Sequence, residues 1–523
     1  KLRTIVKIAI TSSVVLLCSG FALYSFFRLS AAEGQKDFNL YELVPSTTSA
    51  VFVTDDVLEF VAEVDELTCS KNQQYLYVSK LFSYLKQSLY ALSEDTPHGL
   101  SRQMNQMLIS FHEPDNERNQ VLYCRLGNGD KELVNRFVRK YISSLYPPKT
   151  FIYKGEEIII YPMADGDFLA CYLTSDFMAL SFQKKLIENV IDAYKSGKSL
   201  ADDSTFTGIR APKKSAAAAT IYTRMQGMMG WTEFDMKMKD DFIYFSGITH
   251  DADTCFAFIN QLRQQQSVKG FPGEVLPSTA FYFSRQGITD WVSLLSYGNA
   301  QGQSVPARTS EVQNRDKEFS RYLMENAGQD LVACLFQRED TLQGAAAVLS
   351  LSVADVTEAE RMLRALVNAA PADEGRRNPR ITFCYTVNKA YPIYRLPQTT
   401  LFEQLTSFAE PTLDVYAAFY VGRLLLAPDA DALAHYIRQL DKGEVLNGAM
   451  AYQTGMDHLS DSYHFMLMAD FDHIFQQSEN HVRFVPDFFL RNADFFRHFT
   501  LFVQFACADG MVYPNIVLKY KSE

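Results

Sequence analysis

A repeated pattern of apolar residues constrains the fold of this chain more than any other feature. Leu169–Leu173 and the helical pattern beginning at Ile187 recur as Val415–Phe419 and the pattern beginning at Leu433, so the offset is 415 − 169 = 246 residues. Both helical patterns place apolar residues at i, i+3, i+4 and i+7, which is one face of an amphipathic helix. Such a repeat predicts two similar folding units in tandem.

The residues that precede the first strand and the glycine that follows the helix also recur in the two halves. Val44-Pro45-Ser46-Thr47 introduces the first apolar run, and Leu276-Pro277-Ser278-Thr279 introduces its counterpart in the second half. Gly197 and Gly443 follow the two helical patterns, at the place where a left-handed helix cap favours glycine. Strand patterns separated by tight acidic turns then indicate mainly antiparallel sheet with helices packed on one face.

The N-terminal segment predicts a membrane anchor. Residues 8–27 form a twenty-residue run without charge, and the run follows Lys1, Arg3 and Lys7. At about 1.5 Å per residue, a helix of this length spans the roughly 30 Å hydrocarbon core of a bilayer. The basic flank favours a cytoplasmic N-terminus. A cleaved signal peptide is the alternative, but its apolar core has only about 7–15 residues, so we prefer a retained anchor.

The predicted fold class is therefore α+β, with an N-terminal transmembrane helix followed by two tandem homologous modules of mainly antiparallel sheet with packed helices. The predicted domains are a cytoplasmic tip and anchor helix at 1–30, a juxtamembrane linker at 31–40, a first module at 41–270 and a second module at 271–523. The last is a duplication of the first.

Charge narrows the range of partners. The chain has 50 basic and 61 acidic residues and a formal net charge of −11. Because an acidic surface repels phosphate backbones, we expect no nucleic-acid partner. The expected partners are the lipid bilayer, contacted through residues 8–27, and other proteins of the cell envelope.

Two short motifs resemble catalytic or phosphate-binding elements. Ser181-Phe182-Gln183-Lys184 fits the SxxK pattern of acyl-serine enzymes, but Ala427 and Ala430 occupy the two key positions in the second half. Gly197-Lys198-Ser199 imitates the end of a phosphate-binding loop, yet it follows a helix instead of preceding one. We interpret the motifs as a helix start and a helix cap, and we predict no catalytic residue and no cofactor.

Histidine and aspartate residues crowd the stretch 457–473. Their spacing contains neither the i, i+4 histidine pair of a zinc helix nor the carboxylate pattern of a calcium loop. We therefore predict no metal site there.

The region from 484 to 505 is unusually aromatic. Helically spaced aromatic residues usually belong to a core, but this region is also where we would look first for a partner-binding surface. The candidate partner-binding residues are Phe484, Phe488, Phe489, Phe495, Phe496 and Phe499.

The short basic N-terminus, the single anchor and the repeated opening at Val44-Pro45 and Leu276-Pro277 resemble a family of single-pass envelope proteins of Gram-negative bacteria known only as a domain of unknown function. The resemblance implies the bacterial inner membrane, with the N-terminus cytoplasmic and the bulk periplasmic. It brings no catalytic residue.

The predicted function is a non-enzymatic binding protein, scaffold or accessory subunit of an envelope complex. The alternatives are a hydrolase with a site between the modules and a carrier of lipid or apolar peptide.

Overall fold

A computed structural model describes most of the chain beyond its N-terminal segment. The predicted anchor at 8–27 lies outside the described residues, and within the described ranges none of the helices has both the length and the hydropathy that a membrane span requires. The described residues are 38–71, 104–112, 118–127, 130–138, 146–163, 166–210, 217–224, 230–250, 257–292, 294, 309–338, 345–369, 380–387, 389–406, 414–477, 485 and 487–521.

The strands divide into two sets of similar length and spacing. Those of the first half are β1 (Ala50–Thr54), β2 (Met107–Phe111), β3 (Gln120–Arg125), β4 (Lys149–Tyr153), β5 (Glu156–Pro162), β6 (Phe168–Leu173), β7 (Phe177–Ser181), β8 (Ala219–Thr223), β9 (Trp231–Lys239) and β10 (Phe242–His250). Those of the second half are β11 (Val268–Lys269), β12 (Ala280–Gly287), β13 (Ala327–Gln337), β14 (Ala345–Val353), β15 (Ile381–Tyr385), β16 (Ala390–Arg395), β17 (Tyr416–Tyr420), β18 (Arg423–Ala427), β19 (Ser462–Tyr463), β20 (Phe465–Asp470), β21 (Phe499–Ala508) and β22 (Met511–Tyr520).

The strand order is the same in both halves. The first half runs β4-β5-β6-β7-β3-β2-β1-β8-β9-β10 across the sheet. The second half runs β15-β16-β17-β18-β14-β13-β12-β20-β21-β22, with every neighbouring pair antiparallel. The short strands β11 and β19 pair separately. The proposed boundary at 270/271 between homologous modules stays a prediction.

The predicted fold class is wrong, because the two halves do not build separate α+β sheets. β10 pairs with β22 along most of its length, and this pair joins both halves into one antiparallel sheet of twenty strands. The reason lies in the sequence of β10, in which no Lys, Arg, Asp, Glu or Pro interrupts Phe242–His250. Strands that remain at a sheet edge usually carry such residues, which discourage pairing. We call the β10–β22 pair the seam.

The helices lie on the two faces of this sheet, and the longest described helix has 17 residues. They are α1 (Val57–Glu66), α2 (Thr68–Lys71), α3 (Asp130–Phe137), α4 (Lys184–Ser196), α5 (Ser204–Ile209), α6 (Ala257–Arg263), α7 (Ser310–Asn326), α8 (Val356–Ala369), α9 (Leu401–Leu405), α10 (Ala430–Asp441), α11 (Met450–Met456), α12 (Phe471–Phe475), α13 (Asp487–Arg491) and α14 (Ala493–Phe496). Helix α4 ends at Gly197 with φ of 62°, and Gly443 after α10 has φ of 77°, so the predicted glycine caps are confirmed.

The hydrophobic core differs between the two faces of the sheet. On one face a single cluster extends through both halves and includes Met236 and Ile243 beside the seam. On the other face there are two clusters, one under α4 around Val190 and one under α10 around Ile437. We call this second surface the split face. The core under α10 includes Val517 of β22, and Phe242 and Tyr244 of β10 pack against it across one end of the seam. The core under α4 reaches β9 at Trp231, and polar side chains at the middle of the seam separate the two cores.

Candidate functional site

The middle of the seam is marked by two polar residues. Ser246 is the fifth residue of β10 and Asn515 the fifth of β22, and the two lie directly opposite each other. The Ser246 hydroxyl donates a hydrogen bond to Asn515 Oδ1 at 3.0 Å. Since the halves share one strand order, the approximate two-fold axis that relates them at the seam passes between these residues.

A cleft of about 250 Å³ opens on the split face at this point. We call it the seam cleft. It is lined by residues of both halves, namely Glu233, Asp235, Ser246, Gly247, Ile248, Tyr513 and Asn515.

The two carboxylates of the seam cleft come from one strand. Glu233 and Asp235 are two residues apart in β9, and alternate residues of a strand project from the same face. Glu233 lies opposite Ile248 and Asp235 opposite Ser246, which places both acids next to β10. Glu233 is only 3% exposed. Asp235 accepts a hydrogen bond from Thr220 Oγ1 at 3.2 Å.

The corresponding positions of the second half are apolar or neutral. We align the hairpins β9–β10 and β21–β22 at their tight turns. In this alignment Glu233 corresponds to Phe502 and Asp235 to Gln504. Phe502 is fully buried in the core under α10 and α11. The Gln504 amide donates to the carbonyl of Ser460 at 2.6 Å and accepts from its N–H at 3.1 Å. The acidic side of the cleft is therefore confined to the first half.

The chemistry of the seam cleft suits binding of a positive charge. Carboxylate, amide, hydroxyl and phenol oxygens line it, and of its described lining residues none is a histidine, cysteine, lysine or arginine. Across the part of the chain that the structure describes, no three His, Cys, Asp or Glu side chains are grouped so that they could hold a metal ion.

The predicted aromatic region lies mostly in the core. Phe496 and Phe499 are buried, and the rings of Phe489 and Phe495 pack against the same cluster. Ring centroids of Phe489 and Phe496 are 4.8 Å apart, and those of Phe495 and Phe499 are 4.9 Å apart. Phe484 lies outside the described residues, and Phe488 belongs to α13. A partner-binding role for this region stays a prediction, and its buried rings leave little surface for one.

The SxxK motif does not form a reactive pair. The Ser181 hydroxyl is fully buried and donates to the Gln120 carbonyl at 2.8 Å. Lys184 Nζ instead pairs with Glu188 Oε1 at 2.7 Å on the exposed side of α4. The motif therefore begins a helix, as we interpreted it.

The histidines of the stretch 457–473 point to three different neighbours. His458 packs on Phe242 at a centroid distance of 4.4 Å. The N–H of Cys507 donates to His464 Nδ1 at 3.2 Å. His473 Nδ1 lies 3.2 Å from Asp470 Oδ2, and this contact raises the pKa of His473. These side chains do not converge on one site.

One serine–histidine contact escaped sequence reasoning. Ser110 Oγ lies 2.9 Å from His112 Nε2 and 3.1 Å from the Tyr123 hydroxyl. Burial lowers the pKa of His112 to about 4. Because Ser110 is fully buried, its hydroxyl cannot meet a substrate, and the contact serves to satisfy buried polar groups.

Comparison of the chain with protein-family models, curated proteins and solved structures finds no match. The resemblance to the envelope family, and the location that it implies, therefore stay predictions.

Proposed function

We propose that this chain is a non-enzymatic binding protein, a scaffold or accessory subunit of a bacterial envelope complex, and that the seam cleft takes a cationic side chain of a partner protein. The observation that carries the proposal is the position of Glu233 and Asp235 in a cleft on the axis between the two halves, where the second half has Phe502 and Gln504. The envelope location rests on the sequence alone.

The size of the cleft favours a side chain over a metabolite. Its volume of about 250 Å³ is below the roughly 300–1,000 Å³ of ordinary small-molecule sites. A lysine or arginine side chain fills such a space and presents its charge to two carboxylates. Hydrogen bonds to charged groups contribute about 1.5–3 kcal/mol each, so the site discriminates strongly against neutral side chains.

The hydrolase alternative has less support. Ser246 lines the cleft, and its hydroxyl donates a hydrogen bond to the amide oxygen of Asn515. An amide oxygen is not a general base, and activation of a serine needs a base within hydrogen-bond reach. The carrier alternative needs a deep apolar cavity, whereas Glu233, Asp235, Ser246 and Asn515 place polar groups along this small cleft.

In-cell photocrosslinking tests the proposal. A benzoylphenylalanine at Tyr513, which lines the cleft, is expected to form a protein adduct. The same probe at Tyr244, the third residue of β10 as Tyr513 is of β22, is the matched control, because Tyr244 packs against His458.

The adduct from position 513 should disappear in the Glu233→Gln/Asp235→Asn double variant and persist in Glu157→Gln, which neutralises an exposed acid on β5. With the captured partner in hand, the double variant should lower affinity at least about tenfold. An adduct of unchanged intensity in the double variant would contradict the proposal.

A further inference from the structure

The strand β15 forms one end of the twenty-stranded sheet. Among the described strands it pairs only with β16. The N–H of Arg395 donates to the carbonyl of Arg380 at 2.9 Å, and the N–H of Thr386 donates to that of Lys389 at 3.0 Å. Because bonded residues alternate along an antiparallel pair, the residues of β15 whose backbone groups point away from β16 are Ile381, Phe383 and Tyr385.

The same three residues expose their side chains on one face. Ile381 is 38% exposed, Phe383 53% and Tyr385 70%. The ring centroids of Phe383 and Tyr385 are 6.3 Å apart, so they form a short aromatic ladder. An edge strand that presents both its backbone groups and alternate apolar side chains is a template for an added strand.

The opposite end of the sheet, β4, is protected by charge. Lys149 lies within β4, as its first residue. The Lys184 ammonium lies 5.0 Å from the centre of the Phe151 ring. Lysines at an edge strand discourage pairing. Ile381–Tyr385, in contrast, contains no charged residue.

The charge around β15 identifies the kind of strand that would add to it. The described residues from 380 to 402 include no Asp or Glu, although the whole chain has a net charge of −11. Their basic residues are Arg380 just before β15, Lys389 in the turn after it, and Arg395 of β16, which lies 3.8 Å from Asp414. Pairing with β15 of a second copy would bring the two basic segments together, which is unfavourable. An anionic bilayer would attract the cations but offers no row of matching backbone N–H and C=O groups.

We propose that β15 binds an extended acidic segment of another protein by strand addition, with alternate apolar side chains of that segment packing on Ile381, Phe383 and Tyr385. The inference rests on the proposed binding function and specifies a partner chemistry for it. β15 lies nine strands from β22, or about 40 Å along the sheet. Failure at one site therefore leaves the other untouched.

The probe is a fluorescein-labelled synthetic peptide in which valine alternates with threonine and two aspartates stand at each end. Fluorescence polarisation with the full chain should give saturable binding, and the same peptide with lysines at its ends should bind at least about tenfold more weakly. Hydrogen exchange should slow at the amides of Ile381, Phe383 and Tyr385 and remain unchanged at β4.

Phe383→Pro removes one outward N–H, which an edge strand tolerates, and should weaken peptide binding at least about tenfold. Phe383→Thr keeps the N–H and removes the ring, so it should give an intermediate loss. Ile152→Pro is the matched control on β4, where the two-residue turn also directs this N–H outward. It should leave binding unchanged, and circular dichroism checks that each variant folds.

Three results would overturn the proposal. The first is absence of saturation up to about 1 mM peptide, or equal binding by the wild type and Phe383→Pro. The second is slower hydrogen exchange at Ile381, Phe383 and Tyr385 when phosphatidylglycerol vesicles are added without peptide, which would identify a membrane contact at β15. The third is a dimer in analytical ultracentrifugation that Phe383→Pro dissociates, which would identify a second copy as the occupant.

Discussion

The two halves of the molecule share a strand order but differ where they meet. In the second half Phe502 fills the split face beside the seam, and Gly455 of α11 approaches it so closely that a Cβ there would lie 2.2 Å from the ring. In the first half Glu233 occupies the corresponding position and the seam cleft opens over it. One backbone pattern thus supports a closed core on one side of the axis and a polar opening on the other, and side-chain identity decides which.

The sharpest test of this comparison substitutes one side chain in each half and measures the change in stability. Phe502→Ala should destabilise the fold by about 3–5 kcal/mol, because a fully buried ring leaves a cavity that α11 cannot fill. Glu233→Gln keeps the shape of its side chain and should change stability by less than about 1 kcal/mol. The midpoints of urea unfolding measure both. Equal losses would mean that Glu233 is part of the core and not of an open cleft.

The pH dependence of folding stability provides a second contrast between the halves, because each half contains a histidine with a shifted pKa. An unfolded histidine has a pKa near 6.5, and burial lowers that of His112 in the first half to about 4. Between these values the unfolded state binds more protons, so stability falls as the pH falls. We expect a loss of about 2 kcal/mol between pH 7.5 and pH 5, at about 1.36 kcal/mol per pH unit. Urea unfolding across this range should show the loss in the wild type, and His112→Gln should reduce it; an unchanged pH dependence would contradict the burial argument.

Alanine substitution of the two glycine helix caps should lower stability by similar amounts. Gly197 and Gly443 both have φ in the left-handed region, at 62° and 77°, and neither would place a Cβ within 4 Å of another group. Alanine at either position should therefore cost about 1–2 kcal/mol through backbone strain alone. Thermal unfolding of the two single variants measures this. A difference of more than about 1 kcal/mol between them would break the equivalence of the two helices.

His473 in the second half should show the opposite pH response, with the smallest effect. Its contact with the Asp470 carboxylate raises the pKa of His473 above the ordinary value. The stabilisation from this pair is therefore fully present below about pH 6.5 and is lost as the pH rises through the raised pKa. NMR titration of the imidazole measures the pKa directly. A midpoint at or below 6.5 in the wild type would contradict the contact.

Much of the local structure could be predicted from the sequence. The apolar run Leu169–Leu173 is a strand at Phe168–Leu173, and the helical spacing from Ile187 lies in α4. Period-two and period-3.6 patterns report which residues face a core. They do not report which strand lies beside which, and the pairing of β10 with β22 depends on two segments more than 260 residues apart.

The seam cleft could not be predicted from the sequence for the same reason. Glu233 and Asp235 alternate with Phe234 as in any half-exposed strand, so the sequence alone makes them part of a solvent face. Only the seam brings Tyr513 and Asn515 beside them. The aromatic signal of Phe495 and Phe496 was easy to detect but belongs mainly to the core. An overlooked signal was the absence of charged residues in β10 and β15, which marks strands able to accept a neighbour.

The central claim is that the seam joins both halves into one sheet, and disulfide trapping tests it most directly. Ser246→Cys/Asn515→Cys places cysteines at directly opposite positions of β10 and β22, and Lys237→Cys/Tyr244→Cys does the same within the hairpin of β9 and β10. Oxidation followed by mass spectrometry should find an intramolecular 246–515 linkage as readily as the 237–244 linkage. Formation of the hairpin linkage without the 246–515 linkage would show that the two halves do not share a sheet.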